Sequence, residues 1–539
     1  MLSTTELDAK SNIGGVQSRR VDQDELPRES NTRQPSLDVF RQVPMVVDPK
    51  NANEVLLSVP SSQPRQYSGG PRPEPYLQTF DVASYRAVTR QALTRNNATD
   101  PNIGPEGRRI IEPSVNLLQI SHDGEWLATI DEWIPPRGDL SYLNEGIPEF
   151  DQEEHFLRRE VHLKFWRRDE KNGQWVLEAR VDAPHFFEEV CGHGRVFDLV
   201  ADPTGHGFAT IGDDHIVRIW RPKTRIRDGL VVRGAAEKGL VSWSIHRSIQ
   251  LPNPNKNWMS EVGSASPQML SLQTSRLAFS PDGTVLAAAV SGTSDVDSGL
   301  VHLLDPFSAT IRSSMTEIDT TVLCGLGIVG SYLVAVTDSI AVWDLVNAKL
   351  AYTVPIDTPG IDHPDRTSVI RLALSQYDGT FAISLPQFEK KESSSRVKKP
   401  MSTISVYSTE KPEPVWTHKT AAITLALAPR KGGNRGYVAL DSVSCLRTIT
   451  PGVHRVKRSH REEKAELQRV EKSHVREIED AGGLTAFARV HVDDEEYDRP
   501  VVKQQDLVDL FHTNAALPPP KDMFKAVLGL FGGAVKAAA

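Results

Sequence analysis

Cysteine is scarce: Cys191, Cys324 and Cys445 are the only three in 539 residues, far apart and in apolar, strand-like surroundings. That excludes a disulfide framework and any zinc site built on paired Cys spacing, and it fits a reducing compartment. No uninterrupted apolar run reaches the roughly 18 residues that a membrane-crossing helix needs. The first residues, MLSTTELDAKS, lack the basic and apolar regions of a signal peptide. The expectation is an intracellular chain with no membrane partner. Positive charge is not in excess either: 62 Lys and Arg face 70 Asp and Glu, a net charge of −8. That balance argues against electrostatic affinity for nucleic acid over the whole surface, though a local basic patch is compatible with it. Catalytic signatures are missing as well. No G-x-S-x-G, H-E-x-x-H, Walker-type loop or Cys/His metal spacing occurs. The chain is therefore expected to be no enzyme, with no cofactor, no metal and no small-molecule substrate.

Turn chemistry is plentiful, with 36 Gly and 36 Pro in a chain that is 39% hydrophobic, as in a turn-rich globular protein. Its clearest phrase is residues 192–222, GHGRVFDLVADPTGHGFATIGDDHIVRIWRP. Val196 to Val200 alternate as a half-buried strand does. Asp202-Pro203-Thr204-Gly205 make a turn, with Pro presetting φ and Gly free to take the dihedral other residues avoid. Phe208–Ile211 form a second strand and Gly212–His215 a second turn. Ile216–Trp220 then form a third strand. Three short antiparallel strands joined by tight turns are most of a propeller blade of the WD-repeat kind.

The phrase recurs. It appears at 44–59, closed by Leu77–Phe80; at 116–130, closed by Leu163–Trp166; and at 276–290, closed by Val301–Leu304. It appears again at 323–336, closed by Ile340–Asp344; at 371–384, closed by Ile404–Tyr407; and at 424–440, closed by Val443–Leu446. One such sheet cannot bury both faces, whereas a ring of seven can. The expected fold is therefore all-β: a seven-bladed WD40-type β-propeller over 37–450, preceded by a disordered arm at 1–36. A ring-closing fourth strand is not evident and is expected from 37–43 or from the residues after 446.

Beyond Pro451 the character changes. Residues 454–480 carry no Gly or Pro and read as a helix, and 523–531, MFKAVLGLF, as a short apolar one. The prediction for 451–539 is a helical, partly disordered C-terminal extension. Long insertions fall at 131–160, mainly acidic, and at 387–400, basic and Ser-rich. Loops of that length between short strands are where partners bind.

Several residues invite a functional reading. His193 and Asp214 resemble a catalytic pair, but inside a blade they are expected to hydrogen-bond and brace its turns. Trp220 and Trp343, the aromatics closing their phrases, are likewise expected to be structural. Residues 325–330, GLGIVG, match G-x-G-x-x-G, yet a strand follows where nucleotide binding needs a helix. The glycines are expected to occupy an inter-strand turn instead. Arg455, Lys457, Arg458 and Arg461 open the C-terminal helix and are the best candidates for RNA or partner contact. Interleaved Glu462, Glu463, Glu466 and Glu471 favour a salt-bridged, solvated helix as the alternative. Lys390, Lys391, Lys398 and Lys399 form a second candidate patch, for RNA contact or nuclear import.

Some strings are more idiosyncratic than the blade pattern. Trp126-Leu127-Ala128-Thr129, Leu163-Lys164-Phe165-Trp166 and Asp182-Ala183-Pro184-His185 lie within 90–107, 111–133 and 157–185 or beside them. On these the chain resembles the second propeller of the WD-repeat-containing protein 75 family, over about residues 40–450. The fungal counterpart belongs to the transcription-coupled subcomplex of the small-subunit processome. The resemblance implies a nucleolar, non-catalytic scaffold that supports RNA polymerase I transcription and early processing toward 18S rRNA. It also implies partners: other WD-repeat and helical-repeat subunits, and the 5′ external spacer of pre-rRNA in the context of the U3 particle. That family carries two tandem propellers, whereas only one is legible here, so roles of the first propeller are not carried over. A rival reading is a WD-repeat adaptor that captures a peptide on the propeller face.

Overall fold

The computed structural model describes residues 5–10, 39–58, 76–93 without 85, 99–100, 113–134, 159–187 without 170–171, 192–227, 230–232, 239–252, 274–291, 300–358 without 319 and 321, 361, 363–387, 401–430, 436–450 and 502–503. The chain divides into two units. The larger, Leu2–Thr94 with Pro113–Gly452, holds the repeats. The smaller contains 95–112 and 453–539, and its described part is a parallel pairing of Thr99–Asp100 with Val502–Lys503. The helices expected at 454–480 and 523–531 lie outside the described residues.

The larger unit contains seven four-stranded antiparallel sheets. Blade one is Met45–Val47, Glu54–Ser58, Tyr76–Asp81 and Arg86–Ala92. Blade two is Ser114–Ile120, Trp126–Trp133, Glu160–Arg168 and Trp175–Asp182. Blade three is Val196–Ala201, Phe208–Gly212, Ile216–Thr224 and Val241–Gln250. Blade four is Ser275–Phe279, Leu286–Val290, Leu300–Asp305 and Thr310–Met315. Blade five is Gly325–Val329, Tyr332–Val336, Ser339–Asp344 and Lys349–Pro355. Blade six is Arg371–Ser375, Thr380–Gln387, Met401–Ser408 and Lys411–Thr420. Blade seven is Thr424–Pro429, Tyr437–Asp441 and Cys445–Ile449, completed by Thr5–Lys10. That last strand runs antiparallel to Cys445–Ile449, with Ala9 opposite Leu446. The closing strand therefore comes from neither 37–43 nor the residues after 446. It comes from within the arm read at 1–36, the rest of which, up to residue 38, lies outside the described residues.

Packing shows why the sheets form a ring. Seven buried clusters each join two consecutive blades, and one of them joins blade seven to blade one through Leu425, Val438 and Leu440 against Val55, Leu57 and Phe80. Every sheet is thus covered on both faces. Blade four shows the mechanism: Leu286, Ala288 and Val290 face blade three, while Ala287 and Ala289 face blade five. Period-two alternation sends successive side chains to opposite neighbours, so the string LAAAV is apolar throughout instead of alternating with polar residues. The same turn recurs too. Ser121-His122-Asp123-Gly124 and Ser280-Pro281-Asp282-Gly283 each end on a glycine at φ near +70°, with its N–H donating to the serine carbonyl at 2.9 Å. The helix expected nowhere in the blades is His363–Val369, seven residues long, between blades five and six.

The string GLGIVG differs from its expected place in a turn. Gly325 and Gly327 lie in the inner strand of blade five, and only Gly330, at φ +57°, sits in the turn. A Cβ on Gly327 would stand 2.1 Å from Leu374 Cδ1, and one on Gly325 2.9 Å from Leu372 Cβ. These glycines let blade six's inner strand approach closely. The strand expected next, Tyr332–Val336, is there.

Candidate functional site

Antiparallel pairing decides where the connections emerge. In each blade the first-to-second and third-to-fourth turns share one end. The second-to-third connection and the link to the next blade share the other. The long connections 59–75, 135–158, 292–299 and 388–400 are all second-to-third, and the inter-blade links 93–113 and 251–274 leave from the same end. The opposite end carries tight turns, such as Ser121–Glu125 and Gly330–Ser331. Its main exception is the hairpin of blade three beyond Thr224, where Ile226 and Leu230 are exposed. One face of the ring is therefore loop-rich and the other close-cropped. The stem of the 135–158 connection is braced on the loop-rich side, where Arg159 pairs with Glu132 at 3.3 Å.

Inside blade three lies a buried polar chain. Trp220 Nε1 donates to Thr210 Oγ1 at 2.9 Å, and Thr210 Oγ1 lies 2.9 Å from His185 Nε2. His185 Nδ1 lies 2.7 Å from Asp214 Oδ1, and Arg218 closes an ion pair on the same carboxylate. Burial pushes His185 below its ordinary value, against the pull of Asp214. The ring is therefore neutral. The Asp214 carboxylate can only accept, which puts the ring proton on Nδ1 and leaves Nε2 to accept from Thr210, although Arg218 Nη1 also lies 2.6 Å from Nδ1. Hydroxyl, imidazole and carboxylate stand in the order of a nucleophile relay. Yet Thr210 and His185 are fully buried, and the hydroxyl oxygen is capped by the indole. A substrate has no approach to that oxygen, and the arrangement works as a brace.

The histidine that bonds Asp214 is therefore His185, from the Asp182-Ala183-Pro184-His185 string. His193 forms a two-residue ladder in which its backbone faces Phe186. Sequence reasoning missed His185 because a Gly-His pair follows it closely and draws attention away. The available signal was the Pro at 184, which pins the backbone before a fully buried His. Trp220 bonds Thr210 as described. Trp343 packs partly buried in the cluster between blades four and five. Blade two repeats half the brace, with Trp166 Nε1 donating to Thr129 Oγ1 at 3.1 Å. There Lys164 pairs with Asp131, both buried. The candidates Lys390, Lys391, Lys398, Lys399, Arg455, Lys457, Arg458 and Arg461 lie outside the described residues.

The inner strands of all seven blades line one central cavity of about 450 Å³. Asp198, Arg276 and Arg371 face it from blades three, four and six. Cys324, also lining it, is buried with its thiol pushed up to about 12, so it is no nucleophile at neutral pH.

These features define a seven-bladed, nearly all-β propeller. No family model matches the chain. Among curated proteins, the U3 small nucleolar RNA-associated protein 17 of Schizosaccharomyces pombe is 29% identical over 146 residues. That stretch is 27% of this chain and only 15% of the relative's length. Two similar solved structures are the Mitotic Checkpoint Complex, at TM-score 0.41 and 11% identity, and the β-propeller domain of Myceliophteria thermophila Cps50 (Swd1), at 0.41 and 9%. They cover 80% and 77% of this chain and 98% of their own. The propeller assignment rests on the strand order and the seven inter-blade cores.

Proposed function

We propose that the chain is a non-catalytic scaffold subunit of the small-subunit processome, related to the WD-repeat-containing protein 75 family and acting in the nucleolus. In this role it supports pre-rRNA transcription by RNA polymerase I and early processing toward 18S rRNA. The observation that carries the reading is the 146-residue likeness to a U3 small nucleolar RNA-associated protein. The ring adds support of a general kind. A rigid disc with its long connections gathered at one end suits a platform that binds several partners through a few buried anchors. Those partners are other WD-repeat and helical-repeat subunits, and the 5′ external spacer of pre-rRNA beside the U3 particle.

The test is affinity purification of the tagged chain from nuclear extract, followed by mass spectrometry and RNA sequencing. Enrichment of U3 RNA, early pre-rRNA and processome subunits is expected. Recovery of none of these above an untagged control would remove the proposal. The central cavity favours a second reading, an adaptor that takes a peptide at the propeller's axis. Recovery of ubiquitin-ligase cullins without rRNA would select it.

A further inference from the structure

Two arginines line the central cavity with too little negative charge to balance them. Arg276 is the second residue of blade four's inner strand, and Arg371 the first of blade six's. Cys324 immediately precedes the strand of the blade between. All three therefore stand at the loop-rich mouth of the channel.

Arg371 is only 5% exposed. Its Nε donates to Leu425 O at 2.8 Å and Nη1 to Ile370 O at 3.1 Å, and Nη2 donates to Ser368 O. Arg276 Nη1 donates to Phe197 O at 3.1 Å and Ser275 O at 3.4 Å. Carbonyls satisfy donors but do not neutralise charge. Among the described residues, no carboxylate lies within ion-pair distance of either guanidinium. Asp198 is nearest in effect, drawn by Arg276, but its oxygens already accept from Leu277 N at 2.8 Å and Leu199 N at 2.9 Å. Even with Asp198 ionised, Arg276 and Arg371 share one anion, because Asp338, the other carboxylate felt by Cys324, is already paired with Arg366. A buried charge without a counter-ion is costly. Burial and the charge of Arg276 hold Arg371 down at about 9. A guanidinium offers five donors in a fork suited to oxyanions, and those not spent on carbonyls remain to both residues.

We propose that the loop-rich mouth of the central channel binds a small phosphate-class oxyanion between Arg276 and Arg371. The anion supplies the missing charge and bridges blades four and six across the blade between them. The cavity is of the size that holds small ligands. The inference goes beyond the scaffold reading and stands whether or not that reading does.

The experiment is calorimetric titration of the purified full chain with inorganic pyrophosphate and, separately, inorganic phosphate, at pH 7 and low chloride. One saturable site is expected for pyrophosphate. Arg276→Gln and Arg371→Gln should each weaken it at least about tenfold, the loss of one charge-assisted contact. The paired change Lys349→Gln and Lys411→Gln, exposed lysines beside tight turns at the opposite end of the ring, should leave it unaltered. Binding that persists at full strength in folded Arg276→Gln, or that depends on the lysine pair, would overturn the proposal. So would no saturable binding up to about 1 mM, a floor of roughly −4 kcal/mol. Arg276 is less buried than Arg371, so if Arg371→Gln fails to fold, the Arg276 variant decides.

Discussion

Replacing Thr210 with Val tests the brace of blade three without opening a cavity. The two side chains have nearly the same shape, and Thr210 is fully buried. What changes is polarity. Trp220 Nε1 loses its acceptor and His185 Nε2 its donor, both at 2.9 Å and both within the core. A buried donor or acceptor left unpaired costs about 1–3 kcal/mol, so two cost about 2–6 kcal/mol. That is a large share of the 5–15 kcal/mol typical of a folded domain. With a urea slope of about 3 kcal/mol/M, a loss of about 3 kcal/mol lowers the midpoint by about 1 M. Tryptophan fluorescence reads it, because Trp220 and Trp243 share the cluster between blades two and three. The control is Thr89→Val, the same change at an exposed position of blade one's outer strand, expected within about 0.5 kcal/mol. If Thr210→Val unfolds at the control's midpoint, the hydrogen-bond chain is not what holds His185 and Asp214 in place. The combination of Thr210→Val with Trp220→Phe should cost less than the two summed, since they share one bond.

Three further outcomes follow from the same physics. Lys164→Met should cost about 3–5 kcal/mol, because it leaves Asp131 buried without its cation. Adding Asp131→Leu should recover most of that in a chemical melt, as burial already pushes the Asp131 carboxyl above its ordinary value. His302 is held below its ordinary value by burial, so the unfolded chain takes up its proton first. Its contribution is therefore complete above the unfolded value of about 6.5 and declines as pH falls below it. The stability gap between wild type and His302→Gln should shrink from pH 7 to pH 5 in parallel urea titrations. Deleting residues 1–10 strips the partner from Cys445–Ile449 and bares that edge. A lower melting temperature and concentration-dependent aggregation by size-exclusion chromatography are expected; an unchanged melt would contradict closure by that strand.

The first three strands of each blade were legible because they are sandwiched between neighbours, which in the second strands forces apolar runs such as LAAAV and YLVAV bounded by Gly-containing turns. The fourth strands were not. Arg86–Ala92 and Val241–Gln250 face solvent along most of their length, so burial imposes no pattern on RAVTRQA or VSWSIHRSIQ. Thr5–Lys10 was harder still, since its partner lies at the far end of the ring and no local signal marks that pairing. In GLGIVG the glycines were misplaced for a related reason. Their role is to admit Leu372 and Leu374 from the next blade, a contact invisible within one repeat. Asp214 and Trp220 stood out through blade periodicity, whereas His185 sits before the blade whose core it braces. The channel arginines carried no motif, because their meaning arises only when the three strands meet at one mouth.

The platform account is tested most directly by crosslinking mass spectrometry on the assembly purified with this chain, using a lysine-reactive reagent. Crosslinks to partner subunits should concentrate at the loop-rich end, on Lys390, Lys391, Lys398, Lys399 and Lys419. They should be sparse at Lys50, Lys349 and Lys411 beside the tight turns. Partner crosslinks gathered on that close-cropped side, or spread evenly over both, would contradict it.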